Sequence, residues 1–134
     1  MTTAASVPDS ASRTALRILY ADDVRELRNV AQISLTRDGH QIDCVTDGDE
    51  ALAKISAAPV GYDVLITDHH MVRMDGLTLV TRLRTQPATF AGKIIVFSSS
   101  LSPEVDAAYR KLNVDHLLKK PVFPSVLREL LAKL

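Results

Sequence analysis

Short apolar runs, each stopping at polar residues, recur along the chain. Leu16-Arg17-Ile18-Leu19-Tyr20-Ala21 stops at Asp22-Asp23, and Val64-Leu65-Ile66-Thr67 stops at Asp68. Ile94-Ile95-Val96-Phe97 stops at Ser98-Ser99-Ser100, and Leu117-Leu118 stops at Lys119-Lys120-Pro121. Runs this short and continuous predict strands buried on both faces, the habit of parallel sheets. Gln41-Ile42-Asp43-Cys44-Val45 alternates and predicts one more strand, second in chain order.

The stretches between carry a helical period. Leu27, Val30, Ala31 and Leu35 form one apolar stripe, and Ala51, Leu52 and Ile55 form the next, behind an Asp47/Glu50 pair at capping-box spacing. Leu79, Val80 and Leu83 make a third. Ser102-Pro103 is an N-cap and N1 pair ahead of Val105, Ala108, Tyr109 and Leu112, a stripe read as core with Tyr109 at an edge open to partners. Leu127, Leu130, Leu131 and Leu134 repeat the spacing at the end. Five β-α units in tandem imply an α/β fold, an open parallel sheet covered by helices on both faces. Residues 1–14, rich in Ser, Thr and Ala with no apolar period, read as a disordered tail or linker remnant, leaving 15–134 as the folded domain.

Composition narrows the function classes. Lys plus Arg and Asp plus Glu balance at 16 each, so no positive field speaks for nucleic-acid binding by this chain. Aromatics are 4% with no Trp, a poor basis for a base-stacking platform. The single cysteine, Cys44, excludes an intrachain disulfide or a Cys-based zinc cluster and reads as a small buried hydrophobe. With no secretory signal and no apolar run long enough to span a bilayer, the expectation is a soluble, cytoplasmic protein without a membrane partner.

The chemistry gathers at strand ends. In an open α/β sheet the working site lies beyond the carboxyl ends of the strands, where strand order reverses. Asp22 and Asp23 follow the first strand, Asp68 the third, Ser98 the fourth and Lys120 the fifth. If those strands are neighbours, three carboxylates, a hydroxyl and an ammonium converge. Two carboxylates about 4 Å apart repel by roughly 4 kcal/mol at an effective dielectric near 20. Three therefore call for a cation, and all-oxygen ligands favour Mg²⁺ or Ca²⁺ over zinc. Such a site suits phosphate chemistry: Lys120 adds a second positive charge, Ser98 can donate to a phosphoryl oxygen, and a carboxylate can act as nucleophile.

On these residues the chain resembles the receiver domain of two-component response regulators, the chemotaxis type in particular, from about Arg17 to Leu134. The resemblance implies a flavodoxin-like, doubly wound (βα)5 fold with strand order 2-1-3-4-5. It implies Asp68 as phosphoacceptor, Asp22, Asp23, Asp68 and the His70 backbone carbonyl as Mg²⁺ ligands, Ser98 as switch hydroxyl and Lys120 as phosphoryl contact. Met71, Met74, Asp75 and Gly76 match the loop after the acceptor, and Lys120-Pro121 matches a pair usually joined in cis. The implied partners are a sensor histidine kinase or phosphotransfer protein, and a downstream protein on the surface of the fourth helix, fifth strand and fifth helix. A homodimer is compatible with the pattern. Beyond its own phosphoryl transfer and dephosphorylation, no enzyme activity is implied.

Departures from the family pattern sharpen the picture. Val72 stands where proline is usual, and Leu117 where an aromatic switch residue is usual, three before Lys120. Leucine has no ring to rotate inward. His116, adjacent to Leu117, points to the opposite side of a strand and is no substitute. His69-His70 invites a metal-dependent phosphohydrolase reading, but that needs further ligand acids and more chain. His70, two beyond Asp68, is instead expected to tune the lifetime of the phosphoryl group, with Ser100 in the matching place after Ser98. Asp43, Asp47, Asp49 and Asp115 read as loop, cap and surface acids, and Asp75 as a turn residue. A receiver that serves only for docking is the remaining alternative.

Overall fold

The computed structural model describes residues 15–58, 61–86 and 88–134; the expected tail at 1–14 lies outside them. Five strands, β1 (Arg17–Ala21), β2 (Gln41–Val45), β3 (Val64–Asp68), β4 (Lys93–Ser98) and β5 (His116–Lys119), alternate with five helices. These are α1 (Arg25–Arg37), α2 (Gly48–Ala57), α3 (Gly76–Thr85), α4 (Pro103–Lys111) and α5 (Pro124–Ala132). All four strand pairings are parallel, in the order β2-β1-β3-β4-β5 expected from the sequence.

Alternation along the strands splits the core in two. Leu19, Leu65, Ile94 and Val96 face one side with Ala51, Ile55, Leu79, Val80, Leu83 and Tyr109. Ile18, Tyr20, Ile66, Ile95 and Phe97 face the other with Ala31, Leu35, Leu127 and Leu131. β3 is buried at all five positions, as a central parallel strand must be. The β1→β3 step reverses the direction in which the sheet grows, so the carboxyl ends of β1 and β3 sit side by side at the switch point.

Caps fix where the helices begin. Asp47 accepts from Glu50 N at 2.9 Å, Asp75 from Thr78 N at 2.8 Å and Ser102 from Val105 N at 3.2 Å. Glu50 does not close the capping box on Asp47 itself; its carboxylate takes the Thr46 N–H at 2.6 Å and the Thr46 hydroxyl at 2.7 Å. Asp75 is thus a helix cap rather than a turn residue alone.

Two stripes need correction. In α1 only Ala31 and Leu35 are buried, while Leu27 and Val30 are exposed. On the first turns of that helix, Leu27 and Val30 border an apolar groove of about 470 Å³ with Phe97, Val122 and Phe123, open beside Lys120. Tyr109 is not at an edge: it is fully buried and is the one buried residue of α4. Cys44 is half-buried, and burial raises its thiol pKa. No helix among the described residues is long and apolar enough to cross a membrane.

Candidate functional site

Asp22 and Asp23 follow the last residue of β1, and Asp68 ends β3. Their carboxylate oxygens lie within 4.8 Å of one another, Asp22 and Asp68 buried and Asp23 exposed. Lys120, just past β5, reaches across β4 to place Nζ 3.3 Å from Asp68 Oδ2 and 3.5 Å from Asp22 Oδ2. Lys119 points to solvent, the alternation expected of neighbouring strand residues. The Lys120-Pro121 bond is cis.

The electrostatics are those of a crowded acid pair. Burial pushes the Asp22 carboxyl above the usual carboxylate range, Asp68 adds to the push, and the Val24 N–H and Lys120 oppose it. Asp68 is raised in the same way by burial, against the pull of Lys120. Asp22 Oδ1 accepts the Val24 N–H at 2.9 Å, which starts α1, but the buried Oδ2 has no hydrogen-bond partner among the described residues. A buried carboxylate oxygen without a hydrogen bond is costly, and the Asp22 and Asp68 carboxylates share the Lys120 ammonium. The donor set is all oxygen, so the residues fit a hard divalent cation such as Mg²⁺ and offer nothing to select zinc.

The remaining expected residues stand around this centre. Ser98 is buried at the end of β4, with its hydroxyl donating to the Ser100 carbonyl at 3.1 Å. Ser99 and Ser100 are exposed. His70 is exposed, whereas its neighbour His69 is buried. Strand alternation beyond Asp68 explains the split, turning His69 toward the α3/α4 side of the sheet. His69 N donates to the Phe97 carbonyl at 2.9 Å and its carbonyl accepts Gly76 N at 2.9 Å, so the segment after Asp68 is pinned at both ends.

Two features escaped sequence reading. His69 Nδ1 and the Tyr109 hydroxyl share a hydrogen bond of 2.6 Å, their rings meeting edge to face at 5.5 Å. A Cβ at position 76 would come within 2.8 Å of that hydroxyl and 2.6 Å of the Asp68 carbonyl, which is why glycine stands there. Secondly, Arg73, in the left-handed region at φ 65°, pairs with the buried Asp47 carboxylate at the start of α2. Gly48 N also donates to the Met74 carbonyl at 3.1 Å. The loop after Asp68 lacks a proline at 72 but is tied to α2 by these contacts.

Known proteins share this fold. A family model described as the response regulator receiver domain matches residues 18–132. The sensory/regulatory protein RpfC of Xanthomonas campestris pv. campestris is 33% identical over 121 residues, 89% of this chain and 16% of that protein. The sensor histidine kinase AruS of Pseudomonas aeruginosa is 32% identical over 130 residues, 96% of this chain and 13% of that protein. The chain therefore spans only a small part of the length of these curated relatives. Among solved structures, the chemotaxis response regulator CheY4 of Vibrio cholerae superposes with a TM-score of 0.79 at 28% identity, covering 89% of this chain and 98% of that one. A response regulator receiver protein from Pseudomonas putida gives 0.81 at 27% identity, covering 90% and 98%. With the family match running through all five strands and five helices, the chain belongs to the response regulator receiver domains of two-component systems, modules found in both sensor kinases and response regulators.

Proposed function

We propose that this domain is a phosphorylation-dependent switch whose acceptor is Asp68. The observation that carries the reading is the Lys120 ammonium held against the buried carboxylates of Asp68 and Asp22, with Asp22 Oδ2 otherwise without a donor. Asp22, Asp23, Asp68 and the His70 backbone carbonyl would hold Mg²⁺. When bound, the ion supplies charge neutralisation between the phosphoryl oxygens and the acid cluster.

A histidine kinase or phosphotransfer protein donates the phosphoryl group. The Asp68 carboxylate forms the new O–P bond as the P–N bond to the donor imidazole breaks, the imidazole keeping the electron pair. Lys120, already at 3.3 Å from Asp68, balances charge that builds on the phosphoryl oxygens. Ser98 turns its hydroxyl from the Ser100 carbonyl to a phosphoryl oxygen. Hydrolysis returns Asp68 to a carboxylate, and His70, exposed at the mouth of the site, sets how fast water gets there.

The new group brings roughly 1.5 to 2 negative charges. Its pull on Ser98 shifts the segment leading into α4 and so alters the α4-β5-α5 surface offered to a downstream protein or to a second copy of the chain. The domain works in the cytoplasm, with no nucleic acid bound by itself and no membrane partner.

Incubation with acetyl phosphate and Mg²⁺ tests the reading. One phosphoryl group per chain supports the switch. Continued release of phosphate from added esters marks a metal-dependent phosphohydrolase instead, and no response marks a domain used only for docking.

A further inference from the structure

Helix α4 is lightly packed. Tyr109 is its one buried residue; Val105 and Ala108 are only partly covered. On the flank toward β5 lies a cavity of about 270 Å³ bordered by Ser98, Leu101, Asp106 and Leu117. Leucine at 117 leaves that space unfilled, and no ring stands there to follow the Ser98 hydroxyl. The start of α4 is nevertheless tied to Ser98, whose hydroxyl holds the Ser100 carbonyl two residues before the cap Ser102. When Ser98 gives up that bond, the segment Ser99 to Ser102 is free to move and α4 is next in line.

The C-terminal end of α4 is held by Arg84, which donates to the Leu112 carbonyl at 2.9 Å and the Asn113 carbonyl at 3.0 Å. The middle of the helix is tied to the sheet by the bond between Tyr109 and His69, the residue after Asp68. His69 is fixed through its backbone to β4 and to Gly76, so it belongs to the sheet rather than to the helix. The His70 ring meets His69 edge to face at 4.7 Å, which makes a contiguous path from the mouth of the site through His69 to Tyr109.

We infer that Tyr109 is a positioning residue: its hydrogen bond to His69 latches α4 in the unphosphorylated arrangement, and phosphorylation at Asp68 releases it. The latch rests on the proposal that Asp68 is the acceptor. It gives this chain a link between acceptor and α4 that needs no aromatic at position 117. A bond present only in the resting state opposes the phosphorylated one, so by linkage its removal must favour binding of a phosphoryl mimic.

The test is a titration with beryllofluoride and Mg²⁺, followed by ¹⁹F NMR for the bound mimic and by amide ¹⁵N NMR for α4. Tyr109→Phe keeps the ring and deletes one hydroxyl. It should tighten mimic binding about fivefold, the factor matching one hydrogen bond of ordinary net strength. Its α4 amides should shift toward their mimic-bound positions before any mimic is added. His69→Phe cuts the same bond from the other side, and the double variant should bind no tighter than either single one. In the wild type, the His69 ring nitrogens should change shift on saturation, reporting loss of the bond. Unchanged or weaker binding in Tyr109→Phe, with α4 amides as in the wild type, overturns the latch alone. A wild-type protein that binds no beryllofluoride overturns the acceptor reading, and the latch with it.

Discussion

The Lys120 ammonium stands 3.3 Å from the carboxylate of Asp68, the lysine one residue past the end of β5 and the aspartate the last of β3, strands that are not neighbours in the sheet. The lysine keeps 19% of its side-chain exposure and the aspartate 6%. Removing one partner of such a pair leaves the other buried without its counter-charge. Lys120→Met should therefore destabilise the metal-free domain by about 1–3 kcal/mol, below the cost for a fully buried pair because the lysine is partly solvated. Asp68→Asn in the Lys120→Met background should recover part of the loss. Urea unfolding of the single and double variants checks both; additive effects would mean that the two side chains do not interact.

The acid cluster makes a second prediction. Asp22, Asp23 and Asp68 crowd together, and beyond the Lys120 ammonium at 3.5 Å Asp22 Oδ2 has no partner among the described residues, so a bound cation stabilises the folded state by mass action. Millimolar Mg²⁺ should raise Tm. Asp23→Asn should raise Tm of the metal-free protein, by about 0.5–1 kcal/mol of stability given the exposed site, and shrink the rise with Mg²⁺. Thermal melts with Mg²⁺ and with a chelator measure both shifts. A flat response in wild type and variant alike would show that the carboxylates do not form one site.

Asp47 caps α2 and takes the Arg73 guanidinium while fully buried. The Glu50 N–H and Arg73 hold its carboxyl below the usual range, so the stability it contributes is present above the ordinary aspartate value and is lost as pH falls through the lowered folded one. Asp47→Ala should cost about 1–2 kcal/mol, the value of a lost cap. Arg73→Ala should cost less and act on the loop after Asp68, seen as faster amide exchange at Met71 to Asp75. Equal protection of that loop in both proteins would count against the tie.

His40 supplies a pH dependence far from the site. Burial holds its imidazole below the ordinary value of 6.5, with Asp38 pulling weakly the other way, and Nδ1 accepts the Leu16 N–H at 3.0 Å. A protonated nitrogen cannot accept that bond. Between the lowered folded value and the ordinary one the unfolded chain binds more protons, so this contribution to stability falls as pH drops. The urea midpoint of His40→Gln should fall less than that of the wild type between about pH 7 and about pH 5. Identical pH profiles would remove His40 from the explanation.

Most of the fold is legible in the sequence because the central strands β1, β3 and β4 are buried on both faces and stop abruptly at polar residues. Asp22, Asp68, Ser98 and Lys120 each stand where an apolar run ends, and a parallel sheet brings such ends together. Stripes along helices are less informative. Periodicity marks the apolar side of α1 but not which of its turns is covered, so Leu27 and Val30 look like core and lie on a groove. The His69–Tyr109 and Asp47–Arg73 pairs join separate elements through side-chain reach, which no local pattern encodes. One signal was available: alternation beyond β3 turns His69 to the side of the sheet opposite Asp68, and Gly76 marks a close approach behind it.

Intact-mass spectrometry after incubation with acetyl phosphate and Mg²⁺ tests the acceptor role most directly, with wild type and Asp68→Asn side by side. The wild type should gain the mass of one phosphoryl group, removable by hydroxylamine as an acyl phosphate is, and Asp68→Asn should gain none. An adduct of the same yield on Asp68→Asn, or one that hydroxylamine leaves in place, would contradict Asp68 as the acceptor.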